Sequence, residues 1–544
     1  MHPVRDVQGR VSRRCGSSGI AMPKITIDGR EVEVPTGATI LDAAEKLGIS
    51  IPTMCHLRGH SPTTSCMVCV VKVAGANCLV PACGALVRDG MQVQNDCAEV
   101  LEARKAAIEL LLSDHVGDCV GPCQMGCPAH MNIPLMIRQI AAGDLKSAIV
   151  TVKRDIALPA VLGRICPAPC EKTCRRRLHD EAVSICLLKR YVADVDLQSS
   201  EPYAPSPSAR HAKRVAIIGT GPAGLAATYY LRQYGFECTL FDDHDEPGGM
   251  LRYGVPETDL PRDVLKAEIS HITRLGVAFH LNMRVGVTVS MAEVRRQFDA
   301  VFIATGEPKP GDVAGLGVEA SPEGVKVDSQ TGMTSVPGVF AGGAVVRKHR
   351  LAVRSVADGK AAAESIRQYL TTGQVVAAER VFNSRMGKLQ EGEMDVFLHS
   401  ANDEKRREPS SFAGGFSREE AVAESLRCLH CDCRKPDACL LRQYAQAFDA
   451  RQSRYKADRR RFVQQADHPD IVYEPGKCID CGICIRVASA HKEKLGLTFV
   501  GRGFDVRVAV PFDATLAEGL QVAAAQCVQA CPTGALAFKK CRDS

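Results

Sequence analysis

The chain has 544 residues, of which 45% are hydrophobic and 24% charged, and its formal net charge is +6. This length exceeds what a single hydrophobic core supports, so several domains are expected. The near balance of 68 basic and 62 acidic residues argues against a nucleic-acid partner. The sequence contains no run of 18 or more apolar residues, so no membrane span is predicted.

Cysteine is the unusual feature of the composition, with 25 residues. The cysteines lie in C-x2-C and C-x3-C groups separated by ordinary α/β sequence, which indicates metal ligands rather than disulfides. The first 21 residues contain Arg13 and Arg14 but no apolar segment, so we expect a disordered extension before Met22 and no secretory signal. A cytoplasmic location is therefore expected.

Residues 22–100 predict a small iron–sulfur domain. Apolar residues alternate around Asp28 and Gly29, and helical spacing begins after Thr39. Four cysteines with C-x10-C-x2-C-x13-C spacing can surround two irons, with zinc as the alternative metal: Cys55, Cys66, Cys69 and Cys83. The segment resembles the 2Fe-2S ferredoxin domain of the complex I large electron-transfer subunit and iron-only hydrogenases. That family implies a β-grasp fold, although Met67 stands where it usually has arginine.

Residues 101–199 hold two groups of three cysteines. The first group follows His115 with H-x3-C-x3-C-x3-C spacing, and the second lies in "CPAPCEKTC": Cys119, Cys123 and Cys127, then Cys166, Cys170 and Cys174. Two groups of three predict two sites that draw ligands from both loops. With "NIPLMIRQIAAGDLKSAI", the segment resembles the helical domain of the glutamate synthase small subunit and dihydropyrimidine dehydrogenase, which implies two 4Fe-4S clusters.

The resemblance also implies a division of these thiols between the two clusters. One set is Cys119, Cys123 and Cys174, and the other is Cys127, Cys166 and Cys170. The first set lacks a fourth ligand. His115 is the candidate, because H-x3-C also resembles the histidine-ligated cluster of complex I. The alternative is that His115 is a surface residue or a helix cap. In the second set Lys189 stands where the family has a Glu or Gln ligand. The candidate fourth ligand is Cys186, one helical turn earlier. The alternative is that Cys186 is a buried structural thiol.

A dinucleotide-binding domain is predicted over residues 213–370, after a Pro- and Ser-rich linker over 200–212. A G-x-G-x-x-G pattern follows an apolar strand, and an aspartate about 20 residues on is placed for a ribose hydroxyl: Gly219, Gly221, Gly224 and Asp242. "PGGMLRYGVPETDLP", "DAVFIATG" and "TSVPGVFAGGAVV" resemble, in order, the FAD domain of the glutamate synthase small subunit. The implied FAD contacts also include Gly249, Leu251, Tyr253, Gly254, Gly306, Gly342 and Gly343.

Two departures from that family bear on the chemistry. Ala344 stands where the family has an aspartate that contacts the flavin ribityl chain, so a flavin-free scaffold is the alternative. The family's second dinucleotide domain, which binds NAD(P)H, has no room between Gly306 and the closing FAD segment, since a βαβ unit alone needs about 30 residues. Hydride transfer needs a nicotinamide held against the flavin, so we expect no NAD(P)H oxidation by this chain alone.

The carboxy-terminal part contains two more groups of cysteines. Residues 371–465 predict a helical linker that ends in an iron–sulfur or zinc motif, with the ligands Cys428, Cys431, Cys433 and Cys439. Residues 466–544 resemble the 4Fe-4S domain of the complex I subunit and hydrogenases, with the implied ligands Cys478, Cys481, Cys484 and Cys531. Ala488 replaces a further cysteine, so one cluster is predicted there.

The predicted fold class is multidomain α/β and α+β, with ferredoxin-like, helical 4Fe-4S and single Rossmann-like domains. The predicted cofactors are one 2Fe-2S cluster, three or four 4Fe-4S clusters and FAD. We expect an electron-transfer subunit whose partners oxidise NADH, formate, hydrogen or an aldehyde, with ferredoxin as a further partner. A self-sufficient NAD(P)H-dependent oxidoreductase and a redox sensor or scaffold are the alternatives.

Overall fold

The computed structural model describes residues 22–206, 208–309, 311–378, 381–455 and 458–539. The predicted extension before Met22 lies outside these residues. The chain divides into two compact units. Among the described residues, the first comprises 22–115, 437–460 and 465–538, and the second comprises 116–436, 461–464 and Lys539.

The strands and helices are numbered in chain order. The strands are β1 (Lys24–Ile27), β2 (Arg30–Glu33), β3 (Val70–Val73), β4 (Val80–Pro81), β5 (Gln92–Gln94), β6 (Arg214–Ile218), β7 (Glu237–Phe241), β8 (Ala278–His280), β9 (Ala300–Ile303), β10 (Ala320–Ser321), β11 (Gly324–Val325), β12 (Val339–Ala341), β13 (Ile471–Tyr473), β14 (Thr498–Val500), β15 (Arg507–Ala509) and β16 (Leu536–Phe538). The helices are α1 (Ile40–Lys46), α2 (Ala98–Ser113), α3 (Pro122–Gly126), α4 (Ile133–Ala141), α5 (Leu145–Lys153), α6 (Pro159–Ile165), α7 (Pro169–Lys172), α8 (Ile185–Gln198), α9 (Pro222–Gln233), α10 (Met250–Tyr253), α11 (Arg262–Thr273), α12 (Met291–Gln297), α13 (Ala352–Thr372), α14 (Glu393–Leu398), α15 (Arg418–Ser425), α16 (Leu440–Ala447), α17 (Ile483–Ala490), α18 (Leu516–Gly519) and α19 (Ala524–Ala530).

The first unit opens with a five-stranded sheet of order β2-β1-β5-β3-β4. Asp28 and Gly29 have φ angles of 47° and 78°, and these left-handed conformations form the tight turn between β1 and β2. The Thr39 hydroxyl accepts a hydrogen bond from the N–H of Asp42, whose carboxylate accepts one from the N–H of Thr39, and this capping box begins α1. The predicted hairpin and capped helix are thus present, and their apolar faces form one core: Ile25, Ile27, Val32, Ile40, Leu41, Ala43 and Ala44.

The first unit also contains the carboxy-terminal domain. Strands β13 and β16 pair antiparallel and bring the two ends of this domain together, and β14 pairs antiparallel with β15. Helices α17 and α19 pack against each other. The hydroxyl of Tyr473 donates to the backbone oxygen of Val508 at 2.7 Å, which fixes the β14–β15 ribbon beside β13.

The second unit begins with the helices α3 to α8, which pack around a core continuous with the dinucleotide domain. Gly163 on α6 allows α8 to approach closely, because a Cβ atom there would lie 2.6 Å from the Cβ of Arg190. A buried ion pair between Lys153 and Asp196, with Nζ and Oδ2 2.6 Å apart, joins α5 to α8. These contacts hold the cysteine-bearing helix ends in a fixed arrangement.

The dinucleotide domain has a five-stranded, fully parallel sheet of order β12-β9-β6-β7-β8. This order is the doubly wound arrangement expected for a Rossmann-like fold. Helix α13 packs against α9 through Gly359, where a Cβ atom would lie 2.2 Å from the backbone oxygen of Ala223. Between β9 and β12 the described residues hold only the short β10–β11 ribbon and one turn of 3-10 helix. The predicted fold class is confirmed.

Within the described residues, no helix has the length and apolar character needed to cross a bilayer.

Candidate redox centres

The first thiol group lies at one end of the five-stranded sheet in the first unit. All four side chains are buried: Cys55, Cys66, Cys69 and Cys83. Strands β3 and β4 pair antiparallel, so Cys69 and Cys83 meet, with their sulfurs 3.4 Å apart. Hydrogen bonding with Cys83 lowers the pKa of Cys69 to about 7, and hydrogen bonding with Cys66 lowers the pKa of Cys55. The structure thus brings the four predicted ligands together, and thiolates are the form in which cysteine binds iron.

The helix behind this group is fixed by a buried arginine. Arg104 on α2 donates to the backbone oxygen of Val70 at 2.9 Å and to the side-chain oxygen of Asn95 at 2.7 Å. These bonds hold α2 against β3, the strand that follows Cys69 directly.

A second thiol group lies in the carboxy-terminal domain of the first unit, where four sulfurs line one cavity: Cys478, Cys481, Cys484 and Cys531. Gly482 adopts a φ of 67° and begins α17, which turns Cys481 and Cys484 toward the same point. Burial, with a smaller contribution from the charge of Cys531, raises the pKa of Cys481 to about 12. The nearby Cys527 instead contacts the backbone oxygen of Cys484, with its sulfur 3.5 Å away. The four predicted ligands are again together.

These two thiol groups are neighbours. Arg486 on α17 donates to the backbone oxygens of Ser61 at 3.1 Å and of Cys55 at 3.3 Å, and it also contacts the hydroxyl of Thr63. The Thr63 hydroxyl donates to the backbone oxygen of Cys481 at 3.3 Å. The charge of Cys55 is among the influences that raise the pKa of Cys481. A cluster held by each group would therefore have the other as its neighbour.

A third group, here called the Lys189 group, lies in the second unit and comprises Cys127, Cys166, Cys170 and Cys186. Cys186 lies in the first turn of α8, with its sulfur 3.8 Å from the backbone oxygen of Cys166, at the end of α6. Hydrogen bonding with Cys186 lowers the pKa of Cys166 to about 6. Glu171 accepts from the N–H of Cys186 at 2.9 Å and from Arg406 at 3.0 Å, which fixes the start of α8. The structure therefore places Cys186 where the fourth ligand was expected.

Lys189 itself is buried beside this group. Burial alone would lower the pKa of Lys189, but the negative charges of Cys186, Cys166, Cys170 and Cys127 raise it above its usual range. A protonated Lys189 would act as a counter-charge to thiolates in this group, whereas the sequence had shown only that Lys189 stands where the family has Glu or Gln.

A fourth group, here called the split group, comprises Cys123, Cys174, Cys428 and Cys431. Burial raises the pKa of Cys123 well above its usual value, and the charges of the other three thiols raise it further. Burial likewise raises the pKa of Cys428 to about 12, with a contribution from Cys174, and raises that of Cys431. Each of these thiols is therefore close enough to influence the others, although the sequence had assigned them to different motifs.

The remaining predicted ligands also make identifiable contacts. The N–H of Ser384 donates to the sulfur of Cys119 at 3.4 Å, and the N–H of Cys433 donates to the backbone oxygen of Cys119 at 3.4 Å. His115 belongs to the first unit, where burial lowers its pKa to about 3. Cys439 also belongs to the first unit and precedes α16. Their roles as ligands stay predictions.

The dinucleotide site is built on the glycine turn between β6 and α9. Gly219 has a φ of 109°, and a Cβ atom there would lie 2.3 Å from the backbone oxygen of Ala304. A Cβ atom on Gly224 would lie 1.9 Å from the backbone oxygen of Gly219, whereas one on Gly221 would meet nothing within 4 Å. The first and third glycines therefore close the turn, and the open side of Gly221 is the side from which a pyrophosphate can approach.

Asp242, at the end of β7, is fully engaged by its neighbours. Its carboxylate accepts from the N–H and hydroxyl of Thr220 at 2.7 and 2.6 Å, and from the N–H and Nδ1 of His244 at 3.0 and 2.8 Å. These four hydrogen bonds use the acceptor capacity of a carboxylate. A ribose hydroxyl at Asp242 would take the place of one of these side-chain donors.

The remaining predicted flavin contacts are distributed around the same turn. A Cβ atom on Gly249 would lie 2.9 Å from the Cα of Gly221, so the segment before α10 packs directly on the glycine turn. Gly306 and Gly343 have φ angles of 83° and 81°. Four further positions lie on or beside α10 or after β12. Leu251 is buried, and the Tyr253 hydroxyl donates to Asp245 at 2.7 Å. Gly254 adjoins the side chain of Met250, and Gly342 adjoins that of Phe302.

Comparison with known families agrees with these three kinds of site. A family described as a 2Fe-2S iron–sulfur cluster binding domain matches residues 21–97. Dihydropyrimidine dehydrogenase domain II, a 4Fe-4S cluster domain, matches residues 113–201, and an NAD(P)-binding Rossmann-like domain matches residues 217–272. The chain thus carries domains characteristic of iron–sulfur oxidoreductases, and the resemblances seen in the sequence are confirmed.

Similar proteins include two β subunits and one small chain of oxidoreductases. The NADP(+)-dependent formate dehydrogenase subunit beta of Moorella thermoacetica is 42% identical over 206 residues, covering 34% of this chain and 29% of that protein. The NADPH-Fe(3+) oxidoreductase subunit beta of Geobacter sulfurreducens is 38% identical over 209 residues, covering 38% and 30%. The glutamate synthase [NADPH] small chain of Bacillus subtilis is 35% identical over 198 residues, covering 36% and 40%. The chain therefore spans less than half the length of these relatives.

Proposed function

We propose that this chain is an electron-transfer subunit of a cytoplasmic multi-subunit oxidoreductase, in which iron–sulfur clusters and one FAD relay electrons between partner subunits. The observation that carries the proposal is the contact between the first two thiol groups. Arg486 and Thr63 join the loop of Cys55 to that of Cys481 through hydrogen bonds. A 2Fe-2S and a 4Fe-4S cluster at these positions would be consecutive redox centres of one electron-transfer path.

The proposed ligands are the cysteines of the first three groups. Cys55, Cys66, Cys69 and Cys83 would hold a 2Fe-2S cluster, because four thiolates complete the coordination of two irons. The carboxy-terminal group and the Lys189 group would each hold a 4Fe-4S cluster. Each group offers the protein thiolates that such a cluster needs in a buried site.

FAD is the proposed occupant of the Rossmann-like domain, where it can exchange electrons singly or in pairs. The open side of Gly221 and the buried carboxylate of Asp242 support binding of its pyrophosphate and ribose. Ala344 provides no carboxylate for the ribityl chain. The carboxylate of Asp358, which accepts from the N–H of Gly343 at 3.1 Å, is the acidic group beside that segment.

The proposed electron donor is a partner subunit rather than free NAD(P)H. The strand β12 pairs directly with β9, and only the short β10–β11 ribbon and a 3-10 turn lie between them among the described residues. No second parallel sheet is described there to hold a nicotinamide against the flavin. Two relatives are named as β subunits of an NADP(+)-dependent formate dehydrogenase and of an NADPH-Fe(3+) oxidoreductase. Partner subunits of these kinds are therefore proposed.

This electron path is tested by measuring the magnetic coupling between the 2Fe-2S cluster and the neighbouring 4Fe-4S cluster. In anaerobically purified chain, the EPR signal of the reduced 2Fe-2S cluster should relax faster when the neighbouring 4Fe-4S cluster is also reduced. Cys481→Ala should abolish the faster relaxation and leave the 2Fe-2S signal, whereas Cys527→Ala, a matched buried thiol, should leave both. If the relaxation of the 2Fe-2S signal does not depend on whether any other cluster is reduced, the proposed path is wrong.

The main alternative is a self-sufficient NAD(P)H-dependent oxidoreductase, as the name of the glutamate synthase small chain suggests. Adding NADH or NADPH to the isolated chain should leave the flavin absorbance near 450 nm unchanged under our proposal. Bleaching of the flavin by either nucleotide would favour the alternative. Native mass spectrometry of the complex purified anaerobically from its source would identify the partner subunits.

A further inference from the structure

We infer that Cys123, Cys174, Cys428 and Cys431 together hold one 4Fe-4S cluster, so that a C-x2-C pair near the carboxy terminus completes a site begun in the helical domain. This inference rests on the proposed iron–sulfur cofactors but not on the proposed electron path. It combines two thiols of the incomplete helical-domain set with the C-x2-C pair of the carboxy-terminal motif.

The loops of Cys123 and Cys174 are joined by Thr173. Its hydroxyl lies 3.0 Å from the backbone oxygen of Pro122, the residue before Cys123. Gly126 permits this approach, because a Cβ atom there would lie 2.2 Å from the Thr173 hydroxyl oxygen. The two halves of the helical domain that carry these cysteines therefore meet beside the proposed cluster.

The loop of Cys174 is joined to that of Cys428 by two fully buried arginines. Arg176 donates to the backbone oxygen of Arg427, the residue before Cys428, at 2.9 Å. Both guanidinium groups bind the carboxylate of Asp180, Arg176 at 2.8 and 3.0 Å and Arg427 at 2.8 Å. This network fixes the position of Cys428 relative to Cys174 by charge-assisted hydrogen bonds.

The second cysteine of the C-x2-C pair is positioned by the residue that follows it. Asp432 forms an ion pair with Arg138 on α4, and the Cβ of Asp432 lies 3.7 Å from the position that a Cβ atom on Gly121 would occupy. The same position on Gly121 is 3.6 Å from the sulfur of Cys123. Cys123 and the residue directly after Cys431 therefore lie within 4 Å of the same point beside Gly121.

The charges around the split group suit an anionic cluster. Four thiolates around a 4Fe-4S core carry net negative charge, and a buried charge needs compensation. The guanidinium of Arg175 lies beside Cys431 and is held 2.7 Å from Asp118. Arg138, which is 13% exposed and paired with Asp432, is a second cation near the group.

Paired substitutions test whether these four thiols form one site. Cys123→Ala and Cys428→Ala should each lose about four irons per chain, together with the same 4Fe-4S signal in EPR and Mössbauer spectra of anaerobically purified protein. The double variant should lose no more than either single variant. Cys78→Ala, an exposed cysteine outside every thiol group, is the control and should keep all the iron. The 2Fe-2S signal reports whether each variant is folded.

Three results would overturn the inference: a double variant that loses twice as much iron as the single variants, a Cys428→Ala variant that keeps all its iron, or one that loses zinc instead. If alanine at these positions prevents folding, serine preserves the side-chain size and its oxygen can bind iron. Cys123→Ser and Cys428→Ser should then change the EPR line of the same cluster. Changes in the lines of two different clusters would again contradict a shared site. None of these readouts depends on electron transfer between centres.

Discussion

Arg138 and Asp432 form a doubly hydrogen-bonded ion pair, with Nη1 to Oδ1 at 2.8 Å and Nη2 to Oδ2 at 2.9 Å. The side chains are 13% and 7% exposed, so the pair is largely removed from water. It ties α4 of the helical domain to the residue directly after Cys431. Its two members lie far apart in the chain, and the ion pair therefore links folding of the helical domain to that of the carboxy-terminal linker.

Removing this pair should destabilise the second unit. Asp432→Ala leaves the Arg138 guanidinium buried without its carboxylate, which typically costs about 3–5 kcal/mol. Anaerobic thermal unfolding should show a lower Tm, with loss of iron at a lower temperature. Glu319→Ala breaks the exposed Lys326 pair and should change stability by less than about 1 kcal/mol. Equal effects of the two substitutions would contradict the structural role of Asp432.

Replacing Lys189 with methionine should lower the reduction potential of the cluster proposed for the Lys189 group. A buried positive charge favours the reduced, more negative form, so its removal makes reduction harder, by an amount on the order of tens of millivolts. An EPR-monitored redox titration measures this shift. Lys172→Met, which removes an exposed charge from the neighbouring helix α7, should leave the potential almost unchanged. An unchanged potential in Lys189→Met would show that the lysine charge does not reach the cluster.

Glu268 should make stability depend on pH. This buried carboxylate accepts from the N–H groups of Ala160 and Val161 at 3.0 and 2.8 Å, and burial raises its pKa to about 7 from an ordinary 4.5. The folded state therefore binds a proton more tightly than the unfolded state. The associated stabilisation is complete below pH 4.5 and is lost as the pH rises through 7, on the order of 3 kcal/mol in all.

The matched variant for this effect is Glu268→Gln, which cannot ionise. Thermal unfolding between pH 4.5 and 7.5 should show a fall in wild-type stability that the variant lacks. The variant should lose some stability at every pH, because an amide oxygen caps two N–H groups less well. Parallel pH profiles for both proteins would mean that another group is responsible.

Cysteine substitution in the amino-terminal domain should remove one spectroscopic centre without affecting the rest. Cys69→Ser should abolish or strongly alter the 2Fe-2S EPR signal, because its sulfur lies within 3.4 Å of Cys83 in the group. The signals of the other clusters and the FAD absorbance should persist. Cys238→Ser, in a buried thiol of β7 outside every thiol group, should leave the 2Fe-2S signal intact. Retention of an unaltered signal in Cys69→Ser would exclude this residue as a ligand.

Local features were predictable because they depend on neighbouring residues. The hairpin at Asp28 and Gly29, the capping box at Ser417 and the glycine turn at Gly219 follow from backbone conformation and side chains within a few positions. The short spacing of Cys478, Cys481 and Cys484 likewise limits how far apart their sulfurs can lie. The resemblance to known domains supplied Cys531, which short-range spacing could not.

The placement of Cys428 and Cys431 was not predictable in this way. Their closest cysteines in sequence, Cys433 and Cys439, suggested a self-contained motif. One signal was available: the first set of the helical domain lacked a ligand, and Cys428 and Cys431 form a C-x2-C pair elsewhere in the chain. Choosing between that pair and His115 required knowledge of which loops meet.

The sequence by itself determined the iron–sulfur motifs, the single Rossmann-like glycine pattern and most of the thiols that belong to one group and are close in sequence. Cysteine spacing and glycine patterns act over a few residues, which is why the sequence shows them. Only the tertiary structure decided that the loops of Cys123, Cys174 and Cys428 meet, and that Lys189 is buried. The physical reason is that buried charge networks such as Arg176–Asp180–Arg427 select which distant loops pack together, and no local pattern records that choice.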